Sequence, residues 1–144
     1  MTFTSVDTNL LAYSVISDVP EHPAALEFVR RLGDDTVISE LALVELYAVV
    51  RNAKIMVRPF DAASAVAIVE RFRRHPTWQL VDHEPDVMSA VWAAARQPGF
   101  ARTRIFDARL ALGLVRRGVT RFATRNVKHF HGFGFDEVWG PLAS

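Results

Sequence analysis

An α/β domain built on a largely parallel sheet is the fold class this sequence predicts, and three observations predict it. Short runs rich in β-branched and aromatic residues alternate with longer segments whose apolar residues recur at helical spacing. The first run, Thr2 to Val6, ends on a carboxylate, Asp7, with a helical pattern directly behind it. Such strand-to-helix junctions are where open α/β sheets place their ligands. Half of the 144 residues are hydrophobic, enough for a real core and too many for a disordered chain.

The elements follow in order. Residues 2–6 read as a strand and Asn9 begins a helical pattern. Asp7 is a residue type favoured at a helix N-cap, but Thr8 or Asn9 could cap equally well, which leaves Asp7 free for another role. His22-Pro23 opens a helix to about Leu32, with Gly33 as its stop and Asp34-Asp35 as a solvated turn. Residues 36–38 make a brief strand. Ser39 then caps a helix from Glu40 to about Ala53 that is apolar over most of its circumference. Asp61 caps a helix to about Arg74, residues 78–81 form a strand, and Pro85 begins a helix to about Arg96. Asp82, Glu84 and Asp86 gather at the start of that helix, a favourable place for acids on dipole grounds. A helix from about Phe106 to Arg117 ends on Gly118 as its C′ residue. Residues 121–124 are a strand, 125–130 a loop, and Val138-Trp139 a final strand at a sheet edge. No repeat or linker interrupts the chain, so a single domain over residues 1–144 is expected.

Composition excludes several classes of function. Without cysteine there is no disulfide framework, thiolate metal site or thiol nucleophile, which fits a reducing, cytoplasmic setting. The N-terminus lacks the basic and apolar regions of a secretory signal, and charges break every apolar stretch, so no membrane span is expected. A net charge of +1 hides an asymmetry: between residues 96 and 128 nine basic side chains face one acid, Asp107, for a local charge of +8. Of the seventeen basic residues only Lys54 and Lys128 are lysine. Arginine suits bidentate phosphate contact, so this window reads either as a solvated face or as a field for a polyanion such as RNA.

Three acids stand apart from the rest. Asp7 lies at a strand end, Glu45 in the apolar run Leu43-Val44-Glu45-Leu46-Tyr47, and Asp107 in Ile105-Phe106-Asp107-Ala108, flanked by arginines. A buried carboxylate is costly unless it is paired or holds a metal. The bland alternative for each is an ion pair, with Arg104 or Arg109 the candidates for Asp107. If folding brings the three together, they offer hard oxygen ligands to Mg²⁺ or Mn²⁺. The five histidines suggest no zinc site: His129 and His131 lack a third partner, and His22, His75 and His83 lie at element boundaries and are expected at the surface. Trp78, Trp92, Trp139 and the phenylalanines are expected in the core.

At these residues the chain resembles a known family. Val6-Asp7-Thr8-Asn9, the mid-helix Glu45, Phe106-Asp107-Ala108-Arg109-Leu110-Ala111 and Ala123-Thr124-Arg125-Asn126 are similar, in order and spacing, to the successive motifs of PIN-domain ribonucleases. Among these the chain is most similar to the VapC toxins of prokaryotic toxin–antitoxin pairs, and the likeness extends to the closing Phe130-His131-Gly132-Phe133-Gly134. The resemblance implies a three-layer PIN-like domain, with a central mostly parallel sheet flanked by helices. It implies a Mg²⁺ or Mn²⁺ site of Asp7, Glu45 and Asp107, with Thr124 and Asn126 positioning water or phosphate. The implied activity is hydrolysis of RNA phosphodiester bonds, and the implied partners are a second copy in a homodimer and a cognate antitoxin bound beside the site.

One departure matters. Many PIN domains carry aspartate two residues after the threonine of the fourth motif, where Asn126 stands here; the missing charge bears on a second metal more than on the first. Two other readings compete. A haloacid-dehalogenase-like phosphatase also ends its opening strand in aspartate, but needs a second acid where this chain has Asn9. A PIN-like module that binds RNA or protein without cutting is the other, and the three acids argue against it.

Overall fold

In the computed structural model, which describes residues 2–142, strands and helices alternate along the chain. The elements are β1 (Phe3–Val6), α1 (Thr8–Val15), α2 (His22–Arg30), β2 (Val37–Ser39), α3 (Glu40–Val50) and α4 (Ala62–Arg73). They continue with β3 (Gln79–Val81), α5 (Val87–Ala95), α6 (Arg104–Arg116), β4 (Val119–Ala123), a single 3₁₀ turn over Val127–Phe130, and β5 (Glu137–Trp139). Met1 and the last two residues of the expected 1–144 domain lie outside the described residues.

All strand pairings are parallel. β4 lies between β1 and β5, and β2 pairs with β3. The two groups meet along a seam reduced to one bridge, Thr4 to Thr36, with Thr4 N–H donating to Asp35 O at 3.0 Å. Hydroxyls of Thr4, Ser5 and Thr36 are buried at this end of the sheet without a hydrogen-bond partner among the described residues.

Strand periodicity of two sends alternate side chains to opposite faces of the sheet. Val6, Ile38 and Ala123 join Leu10, Leu11, Leu43, Leu46 and Val50 of α1 and α3 in one core, against which α2 and α4 also pack. Val37, Val119 and Phe122 join Val91, Ala108, Ala111 and Leu114 of α5 and α6 in another, the alternation in β4 being reset by a register shift between Val119 and Arg121. The expected three layers, helices on both faces of a parallel sheet, are thus present. Among the described residues no helix is long and apolar enough to cross a membrane.

Several boundaries move, each for a local reason. α3 ends at Val50 rather than near Ala53, because Asn52 leaves the helix: its N–H bonds to Val49 O and its side chain takes Lys54 N–H in a turn. α5 starts at Val87 rather than Pro85, since a tight turn (Val87 N–H to Glu84 O, Met88 N–H to Pro85 O) precedes it. α6 starts two residues earlier than expected, at Arg104. Residues 127–130, read as loop, form a 3₁₀ turn anchored by buried Phe130. Trp92 and Phe106, expected in the core, are 59% and 68% exposed, because each lies on the helix side turned from the sheet. His75 is half-buried and stacks on Trp78 with ring centroids 4.1 Å apart.

Gly118 closes α6 with φ of +89°, the left-handed conformation expected of a C′ residue. Gly118→Ala should therefore lower the unfolding free energy by about 1–2 kcal/mol, from the Cβ penalty in that conformation, measured by urea denaturation.

Candidate active site

The parallel strands carry their carboxyl ends to one edge, and the predicted residues gather there. Asp7 N–H bonds to Ala123 O at 2.9 Å and Thr124 N–H to Trp139 O at 2.9 Å, so the ends of β1, β4 and β5 are laced together. This places Thr124 beside Asp7, and the Thr124 hydroxyl donates to Asp7 Oδ2 at 2.7 Å. That same hydroxyl accepts the Asn126 N–H at 2.9 Å. A relay therefore runs from the Asn126 backbone through Thr124 to Asp7.

Asp7 is also the N-cap of α1, the bland role its residue type suggests, and neither Thr8 nor Asn9 takes that place. Its Oδ1 accepts the Thr8 N–H at 2.8 Å. Thr8 and Asn9 are occupied elsewhere. Thr8 Oγ1 lies 3.1 Å from Ala42 O and 3.3 Å from Glu45 Oε2, sharing its one proton between them, and Asn9 Oδ1 accepts the Arg125 N–H at 3.3 Å. Capping does not exclude the second role, because a carboxylate has about four acceptor sites and two of Asp7's are used.

Glu45 reaches the same place from the second turn of α3, whose start Ser39 fixes by capping Leu41 N–H at 3.1 Å. Asp107 arrives in the first turn of α6, where the helix dipole favours negative charge. Asp7, Glu45, Asp107 and Asn126 together line one cleft of about 310 Å³, whose other wall is apolar: Ala12, Ile16, Val19, Val49 and Ile55. Asp7 is buried, Glu45 and Asp107 half-buried, Thr124 buried and Asn126 exposed.

The electrostatics follow from this crowding. Burial pushes the Asp7 carboxyl above the ordinary carboxylate range and the Asp107 charge adds to that; the bonds from Thr124 and Thr8 pull the other way. Burial also raises Glu45, helped by repulsion from Asp7 and Asp107. Burial raises Asp107, opposed by His129 and Arg104. Three acids in one cleft, each held above its usual value, is a charge distribution that a cation relieves.

Among the described residues no three Asp, Glu or His side chains close directly around one ion position. The donor chemistry nonetheless fits a hard divalent cation. All three groups are carboxylates, and Mg²⁺ keeps several waters in its shell, so contact through water with some of them is its ordinary mode.

The ion-pair alternatives for Asp107 do not form. Arg109 lines a separate cleft with Ser39, Asp82 and Glu84, and Arg104 is turned to backbone carbonyls. The side chain nearest in charge is His129, its Nδ1 3.7 Å from Asp107 Oδ2. His129 was considered only as a zinc ligand in the sequence, and its place here was missed. The 3₁₀ turn puts it three residues from Asn126, with His129 N–H bonded to Asn126 O at 3.0 Å, so both side chains project to one side. Thr8 joins the site too, a role the sequence signals only through its place beside Asp7 in the first motif.

The +8 window is partly neutralised from outside. Arg116 and Arg117 pair with Asp86 and Glu84, Arg121 with Glu137, and Arg125 stands 3.9 Å from Glu21. Among the described residues Arg96, Arg102, Arg109 and Lys128 are exposed with no carboxylate partner. Glu84 and Asp86 thus serve as partners of arginines at the end of α6 rather than as side-chain caps of α5, and Asp82 accepts the His83 N–H at 2.7 Å.

Thr124→Val removes the donor to Asp7 and the acceptor for Asn126 N–H. It should cost about 1–3 kcal/mol of stability at neutral pH, the range for hydrogen bonds to charged groups. Any turnover at the site should fall roughly 10- to 100-fold, as for groups that orient metal ligands. Thr124→Ser should recover most of both, by chemical denaturation and rate measurement.

No protein-family model matches the chain. A close relative is Ribonuclease VapC24 of Mycobacterium tuberculosis, 44% identical over 142 residues that cover 97% of each chain. Among solved structures, FitAcB from Neisseria gonorrhoeae aligns over 99% of this chain and all of its own, with TM-score 0.67 and 16% identity. Mycobacterium tuberculosis VapC20, a Sarcin-Ricin loop cleaving toxin, gives TM-score 0.66 at 14% identity, over 83% of this chain and 86% of that one. VapBC2 from Rickettsia felis, bound to a DNA fragment from its promoter, gives 0.59 at 14% identity, over 94% and 98%. These structures share the fold.

Proposed function

The chain belongs to the VapC family of PIN-domain ribonucleases, and from that premise we propose that it is a metal-dependent endoribonuclease, the toxin of a toxin–antitoxin pair. The observation that carries the site assignment is the convergence of Asp7, Glu45 and Asp107, three acids from β1, α3 and α6, on one cleft at the carboxyl edge of the sheet. In this reading those three carboxylates hold Mg²⁺ or Mn²⁺. A bound divalent ion supplies a lowered pKa for water and charge stabilisation at a phosphate under attack.

The chain's own residues do the rest. Thr124 orients Asp7 and favours its charged form through its 2.7 Å bond, and Thr8 does the same from Asp7's other oxygen and toward Glu45. Asn126, exposed at the rim, offers an amide to water or to a phosphate oxygen without adding charge. Arg102 and Lys128, exposed without carboxylate partners among the described residues, are placed by sequence beside Asp107 and Asn126 to meet the RNA backbone. The reading takes residues 1–144 as one domain working in the cytoplasm. It also expects a homodimer and a cognate antitoxin, supported by exposed apolar residues such as Val44 and Phe106 near the site-bearing helices.

The test is cleavage of diverse single-stranded and structured RNAs with Mg²⁺ or Mn²⁺, and again with chelator. Metal-dependent internal cuts are expected. Binding of RNA with no cleavage under any metal would replace this reading with that of a non-cutting PIN-like module.

A further inference from the structure

Arg104 opens α6 one turn ahead of Asp107 and yet makes no ion pair with it among the described residues. Its Nη2 donates to His131 O at 3.0 Å and lies 3.5 Å from His129 O, the first a good bond and the second a weak one. The guanidinium carbon sits 4.6 Å from the Phe133 ring centroid and 5.4 Å from that of Phe100. Its Nε is buried and has no partner among the described residues. A cation kept for substrate would point into solvent with its donors free. This one is committed to two carbonyls and two rings, and tolerates an unmet donor to stay there.

The segment it grips is the one that brings Asn126 and His129 to the site. The grip is needed because the chain reverses just beyond it, through Gly132 at φ +88° and Gly134 at φ +111°. On the inner side Phe130 anchors the turn against Phe122, ring centroids 4.6 Å apart; Arg104 is the hold on the outer side. Arg104 and Asp107 share the rigid first turn of α6. A tie from Arg104 to the 129–131 backbone therefore fixes the distance from Asp107 to His129.

We infer that Arg104 is a positioning residue: by tying the start of α6 to the His129 and His131 carbonyls it sets Asn126 and His129 over Asp107. Its consequence for turnover rests on the nuclease reading above; the tie itself does not. A planar fork that bonds carbonyls while stacking on rings is a geometry lysine cannot copy, although lysine keeps the charge.

Arg104→Lys is the discriminating variant, made in the full chain. It should lower kcat for RNA cleavage about 10- to 100-fold with KM within about twofold, as expected when placement is lost and binding is not. Amide hydrogen exchange over residues 127–131 should quicken roughly tenfold while the strands are unchanged. Phe133→Leu, which removes one ring but leaves the arginine, should shift both readouts the same way by less. The double variant should fall short of the sum, because both act through one contact. If Arg104→Lys does not fold, Phe133→Leu is read in its place against the same two measurements.

Wild-type exchange at 127–131 in the variants would overturn the inference. So would reduced cleavage with unchanged exchange, which would put Arg104 on the RNA, and so would additive effects in the double variant. Should the wild-type protein cut no RNA at all, the nuclease reading falls alone, and exchange in Arg104→Lys still decides the tie.

Discussion

Asp7→Asn is expected to reduce RNA cleavage by at least about 100-fold, beyond the 10- to 100-fold typical of groups that merely orient metal ligands. The same change should raise the thermal midpoint of the chelator-treated protein. The two effects have one origin. Asp7 is buried at the end of β1, and burial together with Asp107 raises its pKa in the folded state. An acid whose folded pKa lies above its unfolded value of about 3.9 favours folding fully only below that value, and loses the contribution as pH rises through the folded pKa. Once pH exceeds the folded pKa, the ionised carboxylate is therefore a burden on the ion-free fold, and the neutral amide lifts it. In chelator, wild-type stability should decline as pH rises above about 4, and Asp7→Asn should show a shallower decline. Calorimetry across that range checks the sign. Wild-type turnover in the variant, or a lower midpoint at neutral pH, would count against the assignment.

Divalent metal should reverse that burden. Mn²⁺ at about 100 times its dissociation constant is expected to add about 2.7 kcal/mol to the unfolding free energy. The increment should grow with pH, because the raised carboxyls of Asp7, Glu45 and Asp107 must shed protons before they can hold an ion. In Asp107→Asn the increment should shrink sharply. An increment equal to that of the wild type, found by titrating Mn²⁺ during thermal unfolding, would return Asp107 to a structural role. Among the described residues no arginine pairs with Asp107 and only His129 stands near it, at 3.7 Å, which is what makes this outcome informative.

Much of the candidate site is legible in the sequence, the three acids on energetic grounds joined by the family resemblance, and Thr124 and Asn126 through the resemblance alone. Acids set in apolar runs are costly unless used, so Asp7, Glu45 and Asp107 stood out from thirteen others that occupied turns, caps and exposed faces. The alternation of strands and helices is equally plain and gives the parallel α/β class, while the three layers are what the family resemblance implies. What sequence did not carry was anything that depends on a particular turn. His129 lies 22 positions from Asp107 and meets it only because residues 127–130 coil into a 3₁₀ turn that looked like open loop. The +8 window overstated the field because its partners Glu84, Asp86 and Glu137 lie outside the window and return to it through folding. Asp7 caps α1 and lines the cleft at once, because Thr8 and Asn9, which by residue type could cap equally well, are engaged elsewhere. Phe106 and Trp92 misled because aromatic character says what a side chain prefers, while the helix phase decides where it goes.

The seam between β1 and β2 gives the site a mechanical character. Asp7 hangs from the strand on one side of that joint, and Glu45 from the helix that continues the strand on the other. Among the described residues one backbone bridge and the partnerless hydroxyls of Thr4, Ser5 and Thr36 mark this joint, so the sheet should part there first under load. An ion gripped from both sides would act as a rivet across the joint, and the loaded protein should then resist pulling or proteolysis at the seam more than the empty one. Loading the site and stiffening the scaffold would be the same event.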